Sequence, residues 1–82
     1  MRVTLPILKF LRAGEGVLTP ETQLRTDLFQ VVAPPPTKSE VDAALNRMED
    51  RGWAVSVRDE ITGVVRWRIT DAGKAELAAR GL

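Results

Sequence analysis

The sequence predicts a small α+β domain built of three helices, a two-stranded β-hairpin and a closing helix. Three observations carry this reading. Thr37 to Met48 has a capping box followed by apolar residues at helical spacing. Residues 53–58 and 64–69 each alternate apolar and polar positions around a glycine-containing loop. The triplet Pro34-Pro35-Pro36 sits ahead of the capped helix and cannot be helix interior.

The elements follow in order. Thr4 is a candidate cap for a first helix, with Pro6 tolerated in the first turn. Leu5, Ile7, Leu8, Phe10 and Leu11 supply its apolar positions, and Gly14 and Gly16 end it. Val17 and Leu18 read as a short extended link. Thr19-Pro20 then reads as a second helix start, a capping residue with proline at the first helical position. Leu24, Leu28 and Phe29 are its expected buried stripe. Val31, Val32 and Ala33 lead into the prolines, which form a stiff extended spacer. A ligand for an aromatic groove looks similar, but three prolines beside a capping box favour the spacer.

Thr37 and Glu40 form the capping box of a third helix over 38–51, with Val41, Ala44, Leu45 and Met48 facing the core. Gly52 is placed to be its left-handed end. Trp53, Val55 and Val57 on one strand, and Val65, Trp67 and Ile69 on the other, share the parity expected of inward positions. Phe10, Phe29 and both tryptophans are therefore expected in the core, ahead of the alternative that the tryptophans are base-stacking platforms. Asp59 to Gly63 supplies the turn. Thr70 caps the last helix, Asp71 to Arg80, whose Ala72, Ala75, Leu77 and Ala78 are good helix formers.

Composition narrows the function. The 82 residues fit one domain, 1–82, and a 44% apolar, 28% charged balance is globular in character. With no cysteine and no histidine, disulfides, thiolate metal sites and the commonest general base are excluded. Gly14-Glu15-Gly16 lacks the strand-before, helix-after context of a phosphate loop. Glu49-Asp50 and Asp59-Glu60 are sequence neighbours that make no defined acid–base pair. No catalytic residue, cofactor or metal is expected. Lys9 and Arg12 interrupt the apolar N-terminus and no small-residue cleavage site follows, so a signal peptide is not expected. No apolar run reaches membrane-spanning length, and a cytoplasmic protein is expected.

Three helices followed by a two-stranded wing is the order of the winged helix-turn-helix. Trp67-Arg68-Ile69-Thr70-Asp71-Ala72-Gly73-Lys74 resembles the exit from the wing in bacterial MarR-like and PadR-like regulators. Leu45-Asn46-Arg47-Met48-Glu49-Asp50-Arg51-Gly52-Trp53 resembles their recognition helix running into the first wing strand. The resemblance is sharp from about Glu40 to Leu77 and implies a DNA-binding fold, although winged helices also serve as protein-docking modules.

On a helical projection, Ser39, Ala43, Asn46 and Asp50 lie opposite the core, with Arg47 and Glu40 on one flank and Asp42 and Glu49 on the other. Small Ser39 and Ala43 would let the helix approach a groove floor. Asn46 suits an adenine edge, and Arg47 a guanine or a phosphate. Lys38 suits a phosphate. If the hairpin valines face inward, Arg58, Arg66 and Arg68 point outward together as phosphate contacts. The net charge of the chain, +1, argues neither for nor against DNA, but on this helix Lys38, Arg47 and Arg51 are outnumbered by Glu40, Asp42, Glu49 and Asp50. That balance weakens the case for a strong polyanion binder. Two functions are therefore expected: double-stranded DNA binding, as in a small transcription regulator, or docking to a protein partner through the helix face or the proline spacer. With no long dimerisation arm after the wing, a monomer or a weak dimer is expected.

Overall fold

A computed structural model describes residues 3–14 and 17–82. Its elements are α1 (Thr4–Ala13), β1 (Thr19–Pro20), α2 (Glu21–Val31), α3 (Lys38–Asp50), β2 (Ala54–Arg58), β3 (Val65–Ile69) and α4 (Asp71–Ala79). The chain is thus α+β, with four helices and a three-stranded antiparallel sheet of order β1-β3-β2. Gly16, expected as part of the first helix stop, lies outside the described residues. Among the described residues, no helix is long and apolar enough to cross a membrane.

The helix starts follow local chemistry where the cap is polar. Thr37 accepts from the Glu40 amide, and Glu40 returns a carboxylate to the Thr37 amide, both at 3.1 Å. This is the expected capping box. Gly52 follows α3 with φ of 75°, a left-handed conformation that side chains disfavour. Thr70 caps α4 by accepting from the Gly73 amide at 3.1 Å. Thr4 is not a cap. Val3 takes that position without a side-chain bond, and Thr4 lies buried on the same helix face as Leu8 and Leu11. Thr19-Pro20 is also not a helix start. It pairs as a strand with Trp67 and Arg66, and α2 begins one residue later. Alternation of backbone direction turns Thr19 toward β3 and the Pro20 nitrogen away from it, so the proline removes no ladder donor.

One hydrophobic cluster joins Ile7, Leu8 and Leu11 of α1, Leu24 and Leu28 of α2, Val41, Ala44, Leu45 and Met48 of α3, and Trp67, Ile69 and Leu77. Phe29 is excluded from it and is 57% exposed. Leu24 and Leu28 are one turn apart on a helix, and Phe29 is rotated a further 100° off that stripe. Phe10 packs only partly against the cluster.

The hairpin register overturns the inward assignment of Val55 and Val57. Ala54 pairs with Ile69, Ser56 with Trp67 and Arg58 with Val65. Directly opposed residues share a sheet face, so Ala54, Ser56 and Arg58 lie on the helix side with Val65, Trp67 and Ile69. Val55 and Val57 lie on the outer side with Arg66 and Arg68. Ala54 is fully buried, whereas Val57 is 46% exposed. The physical reason is volume. Trp67 and Ile69 already fill the space under the helices, and close packing leaves room only for small partners across from them.

Gly73 fits inside α4 because α4 crosses the strand entry closely. A Cβ there would overlap the Trp53 carbonyl oxygen and stand 2.8 Å from Ile69 Cγ1. Glycine to alanine in a helix ordinarily stabilises by about 1 kcal/mol. Gly73→Ala should instead destabilise by roughly 1–3 kcal/mol, the usual range for overpacking. Urea unfolding checks this, and an increase in midpoint would refute the close crossing. In the same assay Leu45→Ala should cost roughly 2–5 kcal/mol, while Phe29→Ala should change stability by less than about 0.5 kcal/mol. A large loss from Phe29→Ala would place that ring back in the core.

Candidate nucleic-acid interface

The capping box fixes where α3 starts, and the buried row Val41, Ala44, Leu45 and Met48 fixes its rotation. Ser39, Ala43, Asn46 and Asp50 are consequently exposed on the opposite face, as are Lys38 and Arg47. Five of the eight expected contact residues, Lys38, Ser39, Ala43, Asn46 and Arg47, therefore share one helical surface. Its charges are not all available to a ligand. Lys38 Nζ bonds Asp42 Oδ2 at 3.0 Å. The Arg51 guanidinium lies over the Trp53 ring, 5.2 Å from its centre. Glu40 is engaged in the capping box.

Glu49 has a role that composition does not reveal. The Thr70 amide donates to the Trp53 carbonyl, and the Asp59 amide to the Val64 carbonyl. Odd-numbered residues from 53 to 59 therefore turn their backbone groups toward β3, and even-numbered ones toward the free edge. At that edge Glu49 Oε2 accepts from Ser56 Oγ at 2.7 Å and makes a long contact of 3.4 Å with the Ser56 amide. The carboxylate ties α3 to the hairpin and covers part of an edge that would otherwise be open to another strand. The small residues Ala54 and Ser56 between bulkier neighbours were the available signal for this close approach.

Arg58, Arg66 and Arg68 do not point the same way. Arg58 is two residues beyond Ser56, about 7 Å further along the strand, on the sheet face from which Ser56 meets Glu49 of α3. Arg66 and Arg68 project from the outer face beside Val57 and Val55. The expectation of three outward arginines failed because it assumed the valines faced inward. The tryptophans also separate. Trp67 is buried, with its Nε1 donating to Glu21 Oε1 at 3.1 Å, while Trp53 is half-buried beneath Arg51.

The loop between the strands is ordered by Asp59. Its Oδ1 accepts from the Ile61 amide at 2.8 Å and the Thr62 amide at 3.2 Å. These two amides, the Ile61 bond foremost, hold the Asp59 carboxyl below the usual aspartate range, with a further contribution from the Arg66 charge. No group of three or more candidate metal ligands occurs among the described residues.

No protein-family model matches the chain, and neither does any curated protein or solved structure.

A lowered carboxyl pKa means the charged form is favoured by folding. The loop contacts are therefore complete above the ordinary aspartate value of about 3.9 and are lost as pH falls through the lower folded value. An NMR titration of the Asp59 carboxyl should give a midpoint below about 3.9, with the Ile61 amide moving in step. A midpoint at or above that value would contradict the amide cradle.

Proposed function

We propose that the chain is a winged-helix binding module that meets double-stranded DNA through the outer face of α3, as a small transcription regulator does. The element order α1-β1-α2-α3-β2-β3-α4 and the β1-β3-β2 sheet support the winged-helix reading. One observation carries the DNA reading: α3 exposes small Ser39 and Ala43 in line with Asn46, with exposed Arg47 beside them, and the register puts Arg58 on the helix side of the hairpin. The small residues admit the helix to a major groove, Asn46 and Arg47 face base edges, and Arg58 and Lys38 meet phosphates. Arg66 and Arg68 do not belong to this surface, because the register puts them on the other side of the sheet. A monomer or weak dimer is part of the proposal.

A second reading is that α3 docks to a protein. The acid excess of α3 favours it, since Asp50 lies within the exposed face and would approach phosphates. In that case Ala43→Arg should abolish capture of the partner.

NMR titration with short duplexes at two salt concentrations tests the DNA reading. Amides at 38–47 and at Arg58 should shift, with a dissociation constant on the order of 10⁻⁴–10⁻⁶ M at physiological salt for non-specific sites. Arg58→Ala should weaken every duplex alike and lower the log-log salt slope by about 0.9. Asp42→Asn should strengthen binding, because it releases Lys38 from its ion pair. Asn46→Ala should relax preference at one base pair, by about 1–3 kcal/mol. If no duplex shifts any amide at low salt, the DNA reading fails, since counterion release is then most favourable.

A further inference from the structure

The outer face of the sheet has a composition that the proposed α3 surface does not use. Arg66 and Arg68 stand on the central strand, next to each other on one face and about 7 Å apart. Val55 and Val57 form the adjoining row on β2, and Pro20 flanks Arg66 on β1. Val64 continues the arginine row toward the turn and is exposed, as is Val57. All the buried cluster lies on the opposite side of the sheet. Neither arginine makes a salt bridge among the described residues. The Asp59 carboxylate feels the Arg66 charge without forming an ion pair with it, and it also accepts two loop amides.

We propose that this face docks an acidic amphipathic helix of a partner protein. A polyanion would gain from the two guanidiniums alone and leave Val57 and Val64 in water. A wholly apolar partner would strip water from two cations without supplying counter-charge, which is unfavourable. A helix with an apolar stripe bordered by carboxylates meets both demands, the stripe on the β2 valines and the carboxylates on the β3 arginines. The spacing agrees, since carboxylates four residues apart on a helix rise about 6 Å, close to the separation of the arginines. Edge pairing is a poorer route for a partner, because Glu49 covers the outward Ser56 amide. The face is also remote from the α3 surface, so a partner there would leave α3 open. This proposal does not depend on the DNA reading.

The test uses the full chain and a synthetic helix carrying a leucine stripe bordered by glutamates. NMR titration should shift amides at 55–57 and 64–68 and leave those at 39–47 unmoved. The double variant Arg66→Glu, Arg68→Glu should weaken the probe at least about tenfold, as reversal of two facing charges does. Val57→Ser should weaken it independently, and a probe with glutamine in place of glutamate should bind more weakly than the parent. Retained spectral dispersion in each variant shows that the fold persists. Absence of shifts on the outer face, or affinity unchanged by the charge reversal, would overturn the proposal. So would a duplex DNA that shifts the 64–68 amides while the helix probe does not, which would make this face a phosphate contact.

Discussion

The junction between the end of α3 and the start of α4 sets the geometry of the rest. The Thr70 hydroxyl donates to the Gly52 carbonyl at 2.5 Å and accepts from the Gly73 amide, while the Thr70 amide donates to the Trp53 carbonyl at 3.0 Å. One residue thus closes the turn after α3, begins α4 and pins Trp53 opposite itself. Because each antiparallel pair fixes the next, that pin dictates Ala54 against Ile69 and every pair out to Arg58 against Val65. Gly73 is the steric condition for the same junction, since any side chain there would collide with the Trp53 carbonyl.

From this register come two surfaces of different character. On the helix side, Glu49 reaches Ser56, and Arg58 follows two residues later on the same face of the strand. On the outer side, arginines and valines remain together, with no helix of the described residues packed across Val57 and Arg68, which are exposed. A slip of one residue would exchange these sets between faces. The distribution of cations in the hairpin is therefore a consequence of the α3–α4 junction, not of the hairpin sequence alone.

Electrostatics on α3 are shaped by internal partners. The formal count has more acids than bases, but Asp42 holds Lys38, Glu40 closes the capping box and Glu49 anchors the hairpin. These acids have structural tasks within the fold, which account for their presence on α3. Their charge still persists, and exposed pairs such as Lys38–Asp42 contribute only about 0–1 kcal/mol, so a competing phosphate can take Lys38. On the proposed DNA reading, partner exchange, more than net charge, governs how α3 would meet a phosphate.

Local chemistry in the sequence determined the elements whose signals are self-contained. The Thr37–Glu40 box, the Val41 to Met48 row, the left-handed Gly52, the Asp59 to Gly63 turn and the Thr70 cap each involve residues within one turn or one loop of each other. The outward row Ser39, Ala43 and Asn46 followed directly, because the buried side of a helix defines the exposed one. Tertiary structure decided the rest. Whether Val55 or Ala54 faced inward depended on how much room Trp67 and Ile69 left beneath the helices. Whether Thr19-Pro20 began a helix or paired with β3 depended on a strand nearly fifty positions away. Alternation shows that a strand has two faces. Only the cross-strand bonds and the volume packed against them select which face is buried.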